Sequence, residues 1–138
     1  MAVQQISVFL ENKSGRLSEV TEILGNGGVN LRAMTIADTA DFGILRLIAD
    51  DSKKALDVLE KGGFTAKVTS VLAVEVPDKP GGLAQVMRVF SENDVNIEYL
   101  YVSLERTKEN AVIIFKVADI QKGTRVLEEH GFNLVSRW

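Results

Sequence analysis

The sequence predicts an α+β protein made of two tandem sandwiches, each of βαββαβ order, with antiparallel sheets and helices on one face. Two observations lead there: the chain repeats itself, and each copy alternates strand-like and helix-like apolar patterns between turn-forming runs. At an offset of 66, Val8, Lys13, Gly15, Leu17, Val20, Val29 and Asn30 fall on Val74, Lys79, Gly81, Leu83, Val86, Val95 and Asn96. At an offset of 68, Asp51, Lys54, Val58, Leu59, Glu60, Gly63 and Phe64 fall on Asp119, Lys122, Val126, Leu127, Glu128, Gly131 and Phe132. A length of 138 residues suits one average domain or two small ones, so the repeat decides, with units expected at 1–70 and 71–138. The two-residue slip between the offsets is expected in the hairpin turns, short at Thr39-Ala40-Asp41 and longer at Glu105 to Asn110.

The opening strands, Ile6 to Leu10 and Leu72 to Val76, are rich in β-branched residues and stop at Asn12-Lys13-Ser14-Gly15 and Asp78-Lys79-Pro80-Gly81-Gly82. Helices follow, with Leu17, Val20, Ile23 and Leu24 on the buried face of one and Leu83, Val86, Val89 and Phe90 on that of the other. Gly27-Gly28 and Asn93-Asp94 end them, because both pairs tolerate a left-handed backbone, and the second strands start at Val29-Asn30-Leu31 and Val95-Asn96-Ile97. Alternation slips near Arg32 to Thr35 and Glu98 to Tyr101, as at a bulge. The third strands, Gly43 to Asp50 and Ala111 to Ala118, set Leu45 and Leu47, or Ile113 and Phe115, on one face. A second helix follows Asp51 or Asp119, and a last strand follows Gly63-Phe64 or Gly131-Phe132. This order is that of the ferredoxin-like sandwich. A unit this small has a marginal core, and only Thr69-Ser70 separates the copies, so the two are expected to pack as one body.

Composition narrows the function. With 46% hydrophobic and 25% charged residues the chain should pack a core, and with a net charge of −3 shared by both halves it is not a nucleic-acid binder. Absence of cysteine removes disulfides, thiolate nucleophiles and sulfur-ligated metals, and fits a reducing, cytoplasmic setting. Met1 to Asn12 lacks a positive leader, and the purest apolar run, Ala111 to Phe115, is far short of the roughly 20 residues of a membrane helix. No cofactor motif occurs. His130, the one histidine, reads as a solvated helix end beside Glu128 and Glu129 rather than a general base, and a metal held by Asp78 and Asp94 is not expected. Tyr99 and Tyr101 read as core in preference to a contact surface.

The informative feature is the strand-to-helix loop, present twice. A glycine there lets a ligand or another backbone approach the free N–H groups of a helix start, which attract a small anion such as the carboxylate of an amino acid. Asn12 or Asp78 would accept from its ammonium, and Asn30 and Asn96, polar residues in apolar strand starts, each need a partner. The alternative is that Asn12, Ser14 and Asp78 only cap helices. The residues leave both readings open.

The stretch Ile6 to Leu17 with Gly28-Val29-Asn30-Leu31 resembles the opening of an ACT domain, and Val74 to Leu83 with Val95-Asn96-Ile97 is similar to it again. The resemblance implies a stand-alone tandem regulatory protein of amino-acid metabolism, non-catalytic, cytoplasmic and dimeric, with a free amino acid bound where ACT repeats or chains meet. It points to Asn12, Ser14, Gly15, Arg16, Leu17 and Asn30 in the first copy and to Asp78, Pro80, Gly81, Gly82, Leu83 and Asn96 in the second. Ser14 stands where the family commonly has proline, and Asn12 and Arg16 face Asp78 and Gly82 across the repeat, so one loop can bind while its twin builds the interface. The resemblance also implies a partner metabolic enzyme. A ligand-independent assembly subunit that docks such an enzyme is the alternative.

Overall fold

The structure is a computed structural model that describes residues 2–38 and 41–136. It contains two compact units, Gln4–Thr69 and the chain from Ser70 onward with the few residues before Gln4. The elements are β1 (Val3–Glu11), α1 (Arg16–Asn26), β2 (Leu31–Asp38), β3 (Phe42–Ala49), α2 (Ser52–Lys61), β4 (Thr65–Pro77), α3 (Gly82–Glu92), β5 (Ile97–Thr107), β6 (Asn110–Val117) and α4 (Ile120–Glu129). The tandem βαββαβ order and the antiparallel ferredoxin-like sheets are therefore as expected.

In the first unit β3 lies between β1 and β2, antiparallel to both, with Ile6 opposite Leu47, Val8 opposite Leu45, and Leu45 opposite Ile36. Strand alternation then puts Ile6, Val8, Leu10, Leu45 and Leu47 on one face, where they pack with Val20 and Leu24 of α1 and Ala55 and Leu59 of α2. The second unit repeats the plan: β6 lies between β4 and β5, and Leu72, Val74, Val76, Ile113 and Phe115 pack with Val86 and Phe90 of α3 and Val126 and Leu127 of α4. Side-chain volume is redistributed between the copies. Phe90 and Phe115, in edge-to-face contact with centroids 5.3 Å apart, replace Leu24 and Leu47, whereas Gly123 replaces Ala55 on the facing helix.

The helix boundaries have local causes. Gly28 (φ +76°) and Asp94 (φ +56°) take the left-handed conformation that ends α1 and α3. Asp51 and Asp119 cap α2 and α4, each accepting from the backbone N–H three residues on, Lys54 at 3.1 Å and Lys122 at 3.0 Å. Asp51→Ala and Asp119→Ala are each expected to cost about 1 kcal/mol of stability in denaturant titrations, with Asn at either position close to neutral. Equal stability of the alanine variants and the parent would exclude the caps as a contribution.

Three expectations are corrected. No break occurs at Thr69-Ser70, because β4 runs uninterrupted through both residues. The final strand of the second copy is reduced to a bridge between Leu134 and Val74, with Glu75 N–H donating to Asn133 O at 3.0 Å and Val135 N–H to Ala73 O at 2.7 Å. The two-residue slip lies inside β5, not in its turn. Ile36 opposes Leu45 as Val102 opposes Ile113, yet Asp38 opposes Gly43 where Arg106 opposes Ala111, so the extra pair is absorbed between Val102 and Arg106. There the buried Ser103 hydroxyl accepts from Glu105 N–H at 2.8 Å, and Lys108, at φ +51°, turns the chain. The shorter turn, with Thr39 and Ala40, lies outside the described residues. Smaller bulges sit between Leu31 and Ala33 and between Ile97 and Tyr99, where alternation slips in the sequence.

Candidate functional site

Each opening strand hands over to its helix through the same hydrogen-bonded turn. In the first unit Asn12 N–H donates to Asp41 O and Lys13 N–H to Glu11 O, both at 2.9 Å. In the second, Asp78 N–H donates to Glu109 O at 2.9 Å and Lys79 N–H to Pro77 O at 3.0 Å. Gly15 (φ +89°) and Gly81 (φ +82°) then stand at the N-cap of α1 and α3, so the cap residue itself brings no side-chain acceptor to either helix. The first amide of each helix turns back into its own loop, Arg16 N–H toward Lys13 O and Gly82 N–H to Lys79 O.

The glycines have different reasons from those expected. A Cβ on Gly15 or Gly81 would meet nothing within 4 Å, so these positions need glycine for their left-handed backbone and not for a close approach. The close approach is at Gly82, where a Cβ would lie 1.9 Å from Pro77 O. Arg16 holds that position in the first copy, where the turn is wound less tightly: Arg16 N–H lies 3.4 Å from Lys13 O, against 2.9 Å for Gly82 N–H to Lys79 O.

That difference decides the charge of each loop. Arg16 donates to Glu11 at 2.9 Å and to Glu19 at 3.1 Å, and Lys13 lies 3.3 Å from Glu11. The hydrogen bonds from Lys13 and Arg16 hold the Glu11 carboxyl below the usual carboxylate range, and those to Glu19 and Glu11 raise Arg16 further, so this pair stays ionised. In the second copy no side chain is available at Gly82, and Asp78 pairs with Arg106 of β5 instead.

A cavity of about 180 Å³ opens beside the first loop. Glu11, Asn12, Lys13 and Arg16 form its polar side, and Leu10, Leu17, Ile36 and Gly43 complete it. Of the expected residues it brings together Asn12, Arg16 and Leu17; Ser14 and Gly15 shape the turn without lining the space. Sequence reasoning missed Ile36 and Gly43, which reach the site only through β2–β3 register, and Glu11 and Lys13, whose signal was an acid and two bases within six residues. Beside the second loop lies a shallower polar groove of about 370 Å³, lined by Pro77, Asp78, Lys79, Arg106, Lys108, Glu109 and Asn110. It includes Asp78 but not Pro80, Gly81, Gly82 or Leu83.

Asn30 and Asn96 stand apart from both. They precede β2 and β5 and are exposed, so burial imposes no need for a partner. Their backbones are engaged: Asn30 N–H donates to the Asp50 carboxylate at 3.0 Å, and the carbonyls of Asn30 and Asn96 accept from Asp50 N–H and Ala118 N–H at 3.0 Å. His130 ends α4, its Nδ1 donating to Val126 O at 2.8 Å, as a helix-end histidine does. Tyr101 is buried and Tyr99 half-buried. Among the described residues no three acidic, histidine or cysteine side chains gather as a metal site, and no helix is long and apolar enough to cross a membrane.

Among solved structures, protein BT0572 from Bacteroides thetaiotaomicron is 41% identical, with a TM-score of 0.92 over 98% of this chain and 92% of that one. The regulatory subunit of aspartate kinase from Thermus thermophilus, in its ligand-free form, shares the fold at 16% identity, with a TM-score of 0.66 over 93% of this chain and 92% of that one. The corresponding subunit from Thermus flavus does so at 17%, with a TM-score of 0.62 over 91% and 90%. No curated protein matches the sequence significantly. The model of the ACT domain pair matches residues 1–137, and the chain belongs to that family.

Proposed function

We propose that this ACT domain pair is a non-catalytic, cytoplasmic regulatory protein of amino-acid metabolism that binds a free amino acid at the first strand-to-helix loop. The observation that carries the proposal is the pairing of an α1 start whose N-cap residue is a glycine with a small cavity holding both signs of charge. A carboxylate is favoured by the α1 amides and Arg16, and an ammonium by Glu11. At about 180 Å³ the space is below the roughly 300 Å³ of pockets for drug-sized ligands, which suits a small zwitterion. The second loop, without a side chain at Gly82 and with Asp78 tied to Arg106, serves architecture.

Regulation is linkage in this reading. The ligand favours one arrangement of a homodimer, or of its complex with a metabolic enzyme, by no more than its differential affinity. Leu17, Met34 and Ile36, all exposed, give a second copy apolar surface to cover. The regulatory subunits that share this fold agree with such a role, though they agree equally with an assembly subunit that needs no ligand.

A thermal-shift panel of the twenty amino acids at millimolar concentration separates these. One or a few should raise the melting temperature, by the equivalent of about 2.7 kcal/mol at a hundredfold excess over Kd. Arg16→Ala should abolish the rise while leaving the ligand-free melting temperature close to the parent's, since its ion pairs are exposed. No response to any of the twenty would refute amino-acid binding and leave the assembly role.

A further inference from the structure

A second cavity, of about 260 Å³, adjoins the first and shares Leu10, Glu11 and Arg16 with it. Its remaining walls are three phenylalanines, Phe9, Phe42 and Phe64, with Thr65 and the Gly62-Gly63 turn. Phe9 and Phe42 are 48% and 58% exposed, an unusual amount of aromatic surface beside a pair of charges. The same groove exists in the second copy, at about 290 Å³, but Glu75 stands for Phe9, Asn110 for Phe42 and His130 for Gly62. The fold therefore makes this groove twice, and only the first copy lines it with three phenylalanines.

We propose that the ligand is an amino acid with an aromatic side chain: its charged end sits at Glu11, Arg16 and the α1 start, and its ring enters the cavity between Phe9, Phe42 and Phe64. This rests on the amino-acid reading of the first loop. The two spaces share the Glu11–Arg16 pair, so one molecule bound by its charges at that pair has the three phenylalanines of the second cavity beside it. Offset or edge-on contact with the lining rings would hold an aromatic guest better than an aliphatic one of equal area. A protein partner's phenylalanine would reach the three rings but bring neither the carboxylate nor the ammonium of a free amino acid.

Isothermal titration of the full chain with phenylalanine, tyrosine, leucine, serine, aspartate and glycine tests this. Phenylalanine or tyrosine should bind at least about ten-fold tighter than the others. Phe42→Asn, which installs the second copy's residue at an exposed site, should lower that affinity about ten-fold with an unchanged melting temperature and leave glycine binding as it was. N-acetylphenylalanine amide, which has the ring and neither charge, should not bind measurably. Binding of leucine, serine, aspartate or glycine as tight as that of the aromatic amino acids overturns the ring site and leaves the amino-acid reading intact. Equal binding of the uncharged amide overturns it in favour of a protein partner, and no binding at all overturns both readings.

Discussion

Gly82→Ala is expected to destabilise the protein by about 3 kcal/mol or more, although it adds one methyl group at a helix start. The added carbon would stand 1.9 Å from Pro77 O and 2.9 Å from Pro77 C, and both are backbone atoms with no rotamer to escape into. Pro77 is held in place, since it pairs with Asn110 at the end of β4 and its carbonyl accepts from Lys79 N–H at 3.0 Å. Relief requires the start of α3 to move away, which disturbs the seating of Val86 and Phe90 in the core. Gly81→Ala is the control: its Cβ would meet nothing, so only the left-handed backbone is penalised, by about 1–2 kcal/mol. Chemical denaturation of both variants decides the matter. If the Gly81 change proves the more damaging, the contact with Pro77 does not govern the second loop, and the reason given for its lack of an arginine falls with it.

Phe90→Ala is expected to cost about 3–5 kcal/mol, a large part of the roughly 5–15 kcal/mol that a domain has in total. Phe90 is fully buried, meets Phe115 edge-to-face and sits opposite Gly123, the smallest residue that α4 could offer. A Cβ on Gly123 would lie 3.0 Å from Leu72 Cδ1 and 3.2 Å from Val117 Cγ2, so α4 is already seated closely on the sheet beside the ring and its approach to a void is limited. Phe90→Leu should cost clearly less, because the first copy places Leu24 there, opposite Ala55. Urea titration of both variants reads this out. A loss below about 1 kcal/mol for the alanine variant would show that the cavity closes freely despite that seating.

Much of this architecture was legible before any coordinates. Duplication is visible because Gly15 and Gly81, Asp51 and Asp119, and Gly63 and Gly131 occupy positions where only a few residue types meet a local backbone or capping requirement. The core faces follow as directly, since Leu45 and Leu47 or Ile113 and Phe115 repeat with the period of a strand. These are requirements that a residue and its nearest neighbours in the chain satisfy among themselves.

The site was legible only in part. Asn12, Arg16 and Leu17 could be chosen from the loop pattern, but Asn30 and Asn96 resemble buried polar residues only while the strands are taken to begin at Val29 and Val95; starting at Leu31 and Ile97, they leave both residues exposed. Phe42, Phe64, Ile36 and Gly43 carry no mark in sequence, because they meet Glu11 and Arg16 only after β3 has paired with β1 and β2 and α2 has returned the chain. Sequence by itself determined the twofold plan, the helix ends and the buried faces, all products of short-range periodicity and backbone preference. Tertiary structure alone decided which loop's cavity sets an arginine of its own helix start beside apolar walls, because that depends on the side chain fitting where, in the other copy, a carbonyl oxygen has already taken the space.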